Sequence, residues 1–350
     1  MDKQLLVEEL FKKGKLVTPT ALELLASGHK QTLSSGLVIT EKNVNFFKVV
    51  KQYTPKDVVT TSDFIAHFNQ KYEKLKQIII NRISKNFISL DKLSNNKADV
   101  FVIGIVKNIE KQAEGIKLDI EDLTGTASVY LKQIDDVDLD DVIAIQGVDG
   151  GKNIYNAKIL FPDVPLKQPA KNYGKVCFIS GLGFSEAPEK TVEQAFQEVQ
   201  SHKFDMMFVV GSTKDCKKFE EFISKYMSSI HIATVPSEKY PQKPEEFNLE
   251  NITPLTNPSM VEVNGIKILA VSEFRLGYLR KRQLRQPKIP VDPLVIDDVP
   301  DVVVCCFPTE AQVMNYKATT VINVGSFLTT SKPVIIDLET RDVQQINLRN

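Results

Sequence analysis

The feature that most constrains this chain is a set of nearly unbroken apolar runs in its C-terminal half. KVCFISG, DMMFVVGS, IHIATVPS, GIKILAVSEF, PDVVVCCFP, ATTVINVGSF and PVIIDLE recur between residues 175 and 339. A strand covered on one face alternates polar and apolar residues; one that does not alternate is buried on both faces. Helix-like stretches, TVEQAFQEVQSH and KKFEEFISKYMSS, stand between the early runs. Residues 175–350 are therefore expected to form a layered α/β domain, with chemistry in the loops at the carboxyl ends of its strands. VEVNGIKILA reads as a hairpin turning at Asn264-Gly265.

The period changes upstream. ADVFVIGIVKNIEKQ, GIKLDIEDLTG, TASVYLKQ, DDVIAIQGVDGGK and IYNAKILFPDV are five short strand-like runs punctuated by Gly, Asn and Asp turns. Five strands within residues 98–167 suit a small closed Greek-key barrel of the OB type. Before them, LVEELFKKG and TPTALELLASG read as short amphipathic helices, the second capped by Thr18 ahead of Pro19. Residues 29–60 read as a loose connection. Thr61 or Ser62 is expected to cap a helix on which Phe64, Phe68, Tyr72, Leu75 and Ile79 form one apolar stripe. Lys71, Lys74 and Lys76 fall off that stripe. SKNFISLDKLSNNK reads as a linker. The whole is a multi-domain α+β chain: a helical N-terminal module (1–83), a linker (84–97), the barrel (98–167) and, past a boundary at QPAKNYGK, the α/β domain (175–350).

Lys/Arg and Asp/Glu balance at 44 each, but unevenly. Residues 1–97 hold 16 Lys/Arg against 9 Asp/Glu, whereas residues 98–170 hold 7 Lys against 13 Asp/Glu. OB barrels often bind single strands through a basic groove with stacking aromatics. The acid excess here, with only Phe101, Tyr130 and Tyr155 noted on the strands, favours a protein-binding or structural barrel. The opening MDKQLLVEELFKKGK carries charges inside its apolar pattern and is not expected to be a signal peptide. No run approaches the ~18 apolar residues of a membrane span. Cys177, Cys216, Cys305 and Cys306 match neither a disulfide framework nor a zinc spacing, which suits a reducing cytosol.

The loops after the strands hold little chemistry. Gly181-Leu182-Gly183 follows a strand, but a dinucleotide fingerprint needs glycine at 186, where Glu186 stands. P-loop, H-E-x-x-H, G-x-S-x-G and C-x-x-C motifs are absent. Ser180 and Ser212 have no neighbouring histidine, and His202 and His231 lie far off in sequence. Glu186, Asp215, Glu238, Glu273 and Glu310 are dispersed, as on a solvated rim.

Taken together, these segments resemble the small subunit of archaeal family-D DNA polymerase, kin to the B subunits of eukaryotic replicative polymerases. LVEELFKKGKLVTPTALELLAS resembles its opening helices and FNQKYEKLKQII its pre-barrel helix. NPSMVEVNGIKILAV resembles its N-P-x-x-V hairpin. LRKRQLRQP with PLVIDDVPDVVV resembles the approach to its last metal motif, and VINVGSF and PVIIDLET its final strands. The resemblance covers essentially all of the chain. It implies a calcineurin-like phosphoesterase domain, which in active members binds two metals and acts as a 3′–5′ exonuclease. It also implies a large catalytic subunit as partner, met through that subunit's C-terminal zinc-binding region, with DNA reached through the complex in a cytoplasmic, nucleoid-associated setting and no membrane.

Position by position, the family's ligands are replaced. Where it has D-x-H, this chain has Gly181 and Gly183; where a ligand Asp follows Gly, it has Ser212. P-G-N-H-D becomes Pro236, Ser237, Glu238, Lys239, Tyr240. A histidine near a strand end becomes Ser272, and G-H-x-H becomes Cys306, Phe307, Pro308, Thr309. Glycine and phenylalanine offer no donor atom, and the ammonium of Lys239 repels a cation. The resemblance therefore implies a non-catalytic scaffold with no metal and no cofactor. Its alternatives are a phosphodiesterase rebuilt on Asp215, Glu238, Glu273 or Glu310, and a single-strand-binding OB protein. The basic stretch Arg275, Arg280, Lys281, Arg282, Arg285 is expected either to contact DNA or the partner, or to be a solvated helix face.

Overall fold

The computed structural model describes residues 3–26, 30–31, 38–39, 44–45, 47–53, 56, 58–181, 183–236, 242–284, 292–307, 311–326 and 332–347. From the amino end come α1 (Lys3–Lys12), β1 (Leu16–Val17), α2 (Pro19–Ala26), β2 (Lys30–Gln31), β3 (Val38–Ile39), β4 (Val44–Asn45) and β5 (Phe47–Gln52). Then follow α3 (Thr61–Arg82) and five strands, β6 (Asp99–Gln112), β7 (Gly115–Glu121), β8 (Thr126–Leu131), β9 (Val142–Asp149) and β10 (Asn153–Leu160). Next are β11 (Lys175–Ser180), α4 (Glu189–Ser201), β12 (Met206–Val210), α5 (Cys216–Tyr226), β13 (His231–Val235), β14 (Ile252–Pro254), β15 (Ser259–Val263) and β16 (Ile266–Ala270). The chain ends with α6 (Leu276–Lys281), β17 (Val302–Cys305), β18 (Gln312–Tyr316), β19 (Thr319–Asn323), β20 (Val334–Asp337) and β21 (Val343–Gln345). Two units result: residues 56–166 with 275–298, and residues 1–55 with 167–274 and 299–350.

In the first unit the five expected strands close into a barrel in the order β10-β8-β7-β6-β9. β6 serves two partners: Asp99 to Ile105 pair with β9, and Ile105 to Gln112 pair with β7. The barrel closes through parallel pairing of β8 with β10, Asn153 opposite Ser128, which is the OB connectivity. Val102, Val106, Leu118, Ile120, Val129, Ile143 and Ile154 fill its interior.

α3 belongs to this unit rather than to an N-terminal module. Thr60, one residue before the expected caps, starts it: its hydroxyl accepts the Asp63 N–H at 3.3 Å and the Asp63 carboxylate accepts the Thr60 N–H at 3.1 Å. Tyr72, Leu75 and Ile79 pack on Ile103, Val142 and Ala144 of the barrel's outer face, and the Tyr72 hydroxyl donates to the Ile103 carbonyl at 3.3 Å. The stripe's first member, Phe64, is exposed. Residues 84–97 are no free tether. Leu90 is buried in the barrel core, its N–H donates to Asp122 at 3.0 Å, and Asp149 accepts the Ser94 N–H at 3.0 Å.

Lys71 corrects the stripe more sharply: it is only 1 % exposed, not on the solvated side. Burial pushes its pKa down to about 8, against the attraction of Asp141 and Asp140, with Lys281 adding repulsion. The folded pKa lies below the unfolded one, so the unfolded chain binds more protons above about pH 8, and stability climbs from there toward pH 10. Lys71→Met is expected to raise the unfolding free energy at pH 7 by about 2 kcal/mol and to flatten that climb, as urea titrations across pH would measure.

In the second unit two six-stranded sheets face each other, β14-β13-β12-β11-β20-β21 and β18-β19-β17-β16-β15-β5. Val176, Phe178, Phe208 and Val210 point into the core between them with Val261, Ile268, Val302 and Val304. The intervening residues Cys177, Ile179, Met207 and Val209 pack under α4 and α5 with Phe196, Phe219 and Phe222. Adjacent residues thus serve two cores, which is why these runs do not alternate. β5 comes from the expected loose connection, pairing antiparallel with β15 from Phe47 opposite Val263 to Gln52 opposite Ser259. Its FKVVKQ is alternately half-buried and exposed, as an edge strand covered on one face should be. Ahead of it, Leu6, Leu10, Ala21 and Ile39 form a small separate cluster, and the Thr18 hydroxyl caps α2 by accepting the Ala21 N–H at 3.3 Å.

Candidate functional site at the strand ends of the sandwich

Parallel β11, β12 and β13 end side by side, so Gly181 and Ser212 are neighbours. The Gly181 N–H donates to the Val210 carbonyl at 2.9 Å. A Cβ built on Gly181 would fall inside the envelope of the Gly211 carbonyl oxygen, so no side chain fits where the family places an aspartate. Gly183 turns the chain at φ +85°. The Ser212 hydroxyl donates to the Glu245 carboxylate and accepts the Lys214 N–H at 3.2 Å. Burial raises the Glu245 pKa, and the Ser212 hydrogen bond opposes that. Lys214 turns away to Glu186 at 2.9 Å.

The second sheet brings together another set. Ser272, after β16, is held by Asn257: the Asn257 amide donates to its hydroxyl at 2.8 Å, and the Ser272 N–H donates to the Asn257 side-chain oxygen at 3.2 Å. Asn257 is fully buried and its peptide to Pro258 is cis. The Cys306 N–H donates to the Ser272 carbonyl at 3.2 Å, and burial pushes the Cys306 thiol pKa up. Phe307 is partly exposed beside it. Glu238, Lys239, Thr309, Glu310 and Arg285 lie outside the described residues.

The other candidates are occupied. Asp215 caps α5 by accepting the Lys218 N–H at 3.0 Å. His231 stands at the amino end of β13, opposite Met206, and bonds Thr253 at 2.9 Å; His202 faces Glu198. Neither is set to activate Ser180 or Ser212. Among the described residues no three His, Cys, Asp or Glu side chains converge to hold a metal ion. A serine already bound to a carboxylate, a serine locked to an amide and a glycine without room for Cβ do not fit a dinuclear centre. Glu245 and Asn257 were not foreseen as members of these networks. Asn257 stands in the quoted NPSM hairpin, whereas Glu245 lies in a loop with no local signal.

The basic stretch belongs to the barrel unit, and two of its members are neither solvated nor available for contact. Lys281 is 8 % exposed; its ammonium reaches Asp138 at 2.6 Å, Asp141 at 3.0 Å and Asp136 at 3.5 Å. Arg282 is 5 % exposed, sits at φ +54° and donates to the Ile296 and Asp297 carbonyls at 2.6 and 2.8 Å. Arg280 lies over the Phe161 ring at 4.1 Å and pairs with Asp135 at 3.2 Å. Arg275 precedes α6 at its N-cap. Burial requires partners for such charges: Asp136, Asp138 and Asp141 supply them to Lys281, and the carbonyls of Ile296 and Asp297 to Arg282.

No protein-family model matches the chain. It is 25 % identical to the small subunit of DNA polymerase II from Archaeoglobus fulgidus, over 74 % of this chain and 69 % of the relative. To that of Methanothermobacter thermautotrophicus it is 24 % identical, over 79 % and 74 %. To that of Pyrococcus furiosus it is 35 % identical over 31 % of this chain and 19 % of the relative. Similar solved structures include an archaeal phosphodiesterase, with TM-score 0.36 and 15 % identity over 49 % of this chain and 98 % of that one. Another is vacuolar protein sorting 29 of Cryptosporidium parvum, with TM-score 0.32 and 14 % identity over 50 % and 96 %. Among the described residues no helix is long and apolar enough to cross a membrane. In its sequence, the chain is a homologue of the small subunits of archaeal DNA polymerase II.

Proposed function

We propose that this chain is a non-catalytic accessory subunit of a replicative DNA polymerase and docks the large catalytic subunit. Likeness to polymerase small subunits over about three quarters of the chain carries the reading. The strand ends support the non-catalytic part: Gly181 excludes a ligand side chain, and Ser212 and Ser272 are spent on internal hydrogen bonds. A domain that keeps its layered core without ligands is suited to offer surface. An obligate contact with the large subunit would bury more than ~2,000 Å².

Co-expression with the large subunit of the same cell's DNA polymerase II tests the docking. The two chains are expected to co-purify in equal amounts, while this chain alone is oligomeric. A clean monomer without affinity for the large subunit would refute the assignment. A manganese-supplemented nuclease assay on the purified chain is expected to show no 3′–5′ degradation. Degradation that Glu273→Gln abolishes would establish a rebuilt catalytic site instead.

A further inference from the structure

In the folded unit the acid excess of the barrel segment is balanced. Counted over residues 98–170, the barrel is acidic; counted over the unit that folds together, 56–166 with 275–298, Lys/Arg and Asp/Glu are equal in number. Five of the acids are also engaged within the unit. Asp136, Asp138 and Asp141 surround Lys281, Asp163 meets Arg82 at 3.3 Å, and Asp149 accepts the N–H groups of Ser94, Asn95 and Gly151.

A cleft of about 860 Å³ opens on the barrel between the β6–β7 hairpin, the end of β8 and β10. Two aromatic rings share its wall. Tyr130 and Tyr155 lie 5.2 Å apart between centroids and 16° from parallel. They stand on β8 and β10, and Tyr155 is 45 % exposed. Two features of the backbone hold this pair. β10 carries a bulge between Tyr155 and Lys158, with Asn156 at φ +50°, a device that re-aims a side chain. Gly150 lies beneath the Tyr155 ring, where a Cβ would collide with ring carbons, so the β9–β10 turn accommodates the ring only because it has no side chain there. Around the rings stand Lys132 and Lys158, both exposed and without an ion pair among the described residues. Arg280 stands in the same cleft, held by an exposed Asp135. Glu114 is the one further acid in the lining.

From this juxtaposition we infer that the Tyr130–Tyr155 cleft is a binding site for single-stranded nucleic acid. Unpaired bases extend the tyrosine stack, and Lys132, Lys158 and Arg280 meet the phosphates. A ring pair held parallel and left half open matches what a base offers, a flat face without sequence preference. The unpaired lysines match a backbone charge that recurs at each nucleotide. A duplex offers no free base face and is not accommodated. The site is independent of the strand ends of the sandwich and of the polymerase assignment.

Anisotropy of a fluorescein-labelled oligo-dT of about 16 nucleotides, titrated with the 350-residue chain, tests this. Oligo-rU and a duplex of equal length are run beside it. The single strands are expected to bind and the duplex to bind at least about tenfold more weakly; preference between dT and rU identifies which nucleic acid the site serves. Tyr130→Ala and Tyr155→Ala are each expected to weaken binding about tenfold, at the low end of the stacking range. Tyr130→Phe and Tyr155→Phe are expected to stay within about twofold, because stacking does not use the hydroxyl. Lys132→Gln with Lys158→Gln is expected to flatten the slope of log affinity against log salt by about 1.4. Circular dichroism and thermal midpoints identify any variant that has not folded, and the phenylalanine and glutamine variants then decide. No binding by the parent chain, equal binding of the duplex, or alanine variants that are folded and bind normally would overturn the inference. So would alanine variants that lose the large subunit but keep the oligonucleotide, since the cleft would then be a protein contact. Failure of the parent chain to bind oligonucleotide leaves co-purification with the large subunit unaffected, so the two readings fail separately.

Discussion

Replacing Lys281 with alanine is expected to lower the free energy of unfolding by about 3–5 kcal/mol, the range for removing one partner of a buried ion cluster. The cost comes from what is left behind. Asp141 is buried, and burial already raises its carboxyl pKa, with Lys281 and the Asp138 N–H holding it down. Without that ammonium, 3.0 Å away, Asp141 keeps only the weaker attraction of Lys71 and must either stay charged in a poorly solvated place or take up a proton. The Lys281 pKa is raised by Asp138, Asp141 and Asp136 against its own burial, so its stabilisation is present at neutral pH and is lost only as pH rises through that raised value. Arg280→Ala is the internal control. Asp135 is largely exposed, and an exposed pair contributes less than ~1 kcal/mol. Urea denaturation of the two variants at pH 7 makes the comparison. Equal losses would show that burial does not set the energetics of this stretch.

Gly181→Asp, the simplest attempt to restore a metal ligand, is expected to cost about 3 kcal/mol or more, the upper end of overpacking, and to leave the strand ends without manganese-dependent activity. The obstacle is the backbone. The Gly211 carbonyl occupies the volume a Cβ needs, and two paired parallel strands cannot part there without breaking the register from Val176–Met206 to Ser180–Val210. Gly181→Ala isolates the steric part and is expected to lose most of the same stability. An alanine variant that unfolds with the parent's midpoint would show that the loops yield easily. Strand ends without ligands would then be a matter of side chains alone.

Several features were legible because they are local. The five turn-punctuated runs of 98–166 became the barrel strands, and Thr18 before Pro19 became a helix cap. The unalternating runs of 175–339 became strands with a core on each side. Other readings failed where a residue's surroundings come from far along the chain. Lys71 sits between stripe positions of α3 and falls off the apolar stripe, yet it is buried. It is buried near Asp140 and Asp141, about 70 residues further on, whose attraction no helical period reports. Within the basic stretch, the burial of Lys281 is hidden for the same reason: its counter-charges, Asp136, Asp138 and Asp141, lie about 140 residues earlier. The charge of residues 98–170 differs from that of the folded unit because residues 56–97 and 275–298 add cations to it.

Sequence by itself determined what each segment can be, since strand period and turn residues are properties of neighbouring residues. Tertiary structure alone decided which segments keep company: β5 with β15, α3 and 275–298 with the barrel, Tyr130 with Tyr155. The physical reason is that side-chain periodicity records only whether a face is covered. The identity of the covering residue is set by contacts between distant segments, whose charges and rings meet only once the chain has folded.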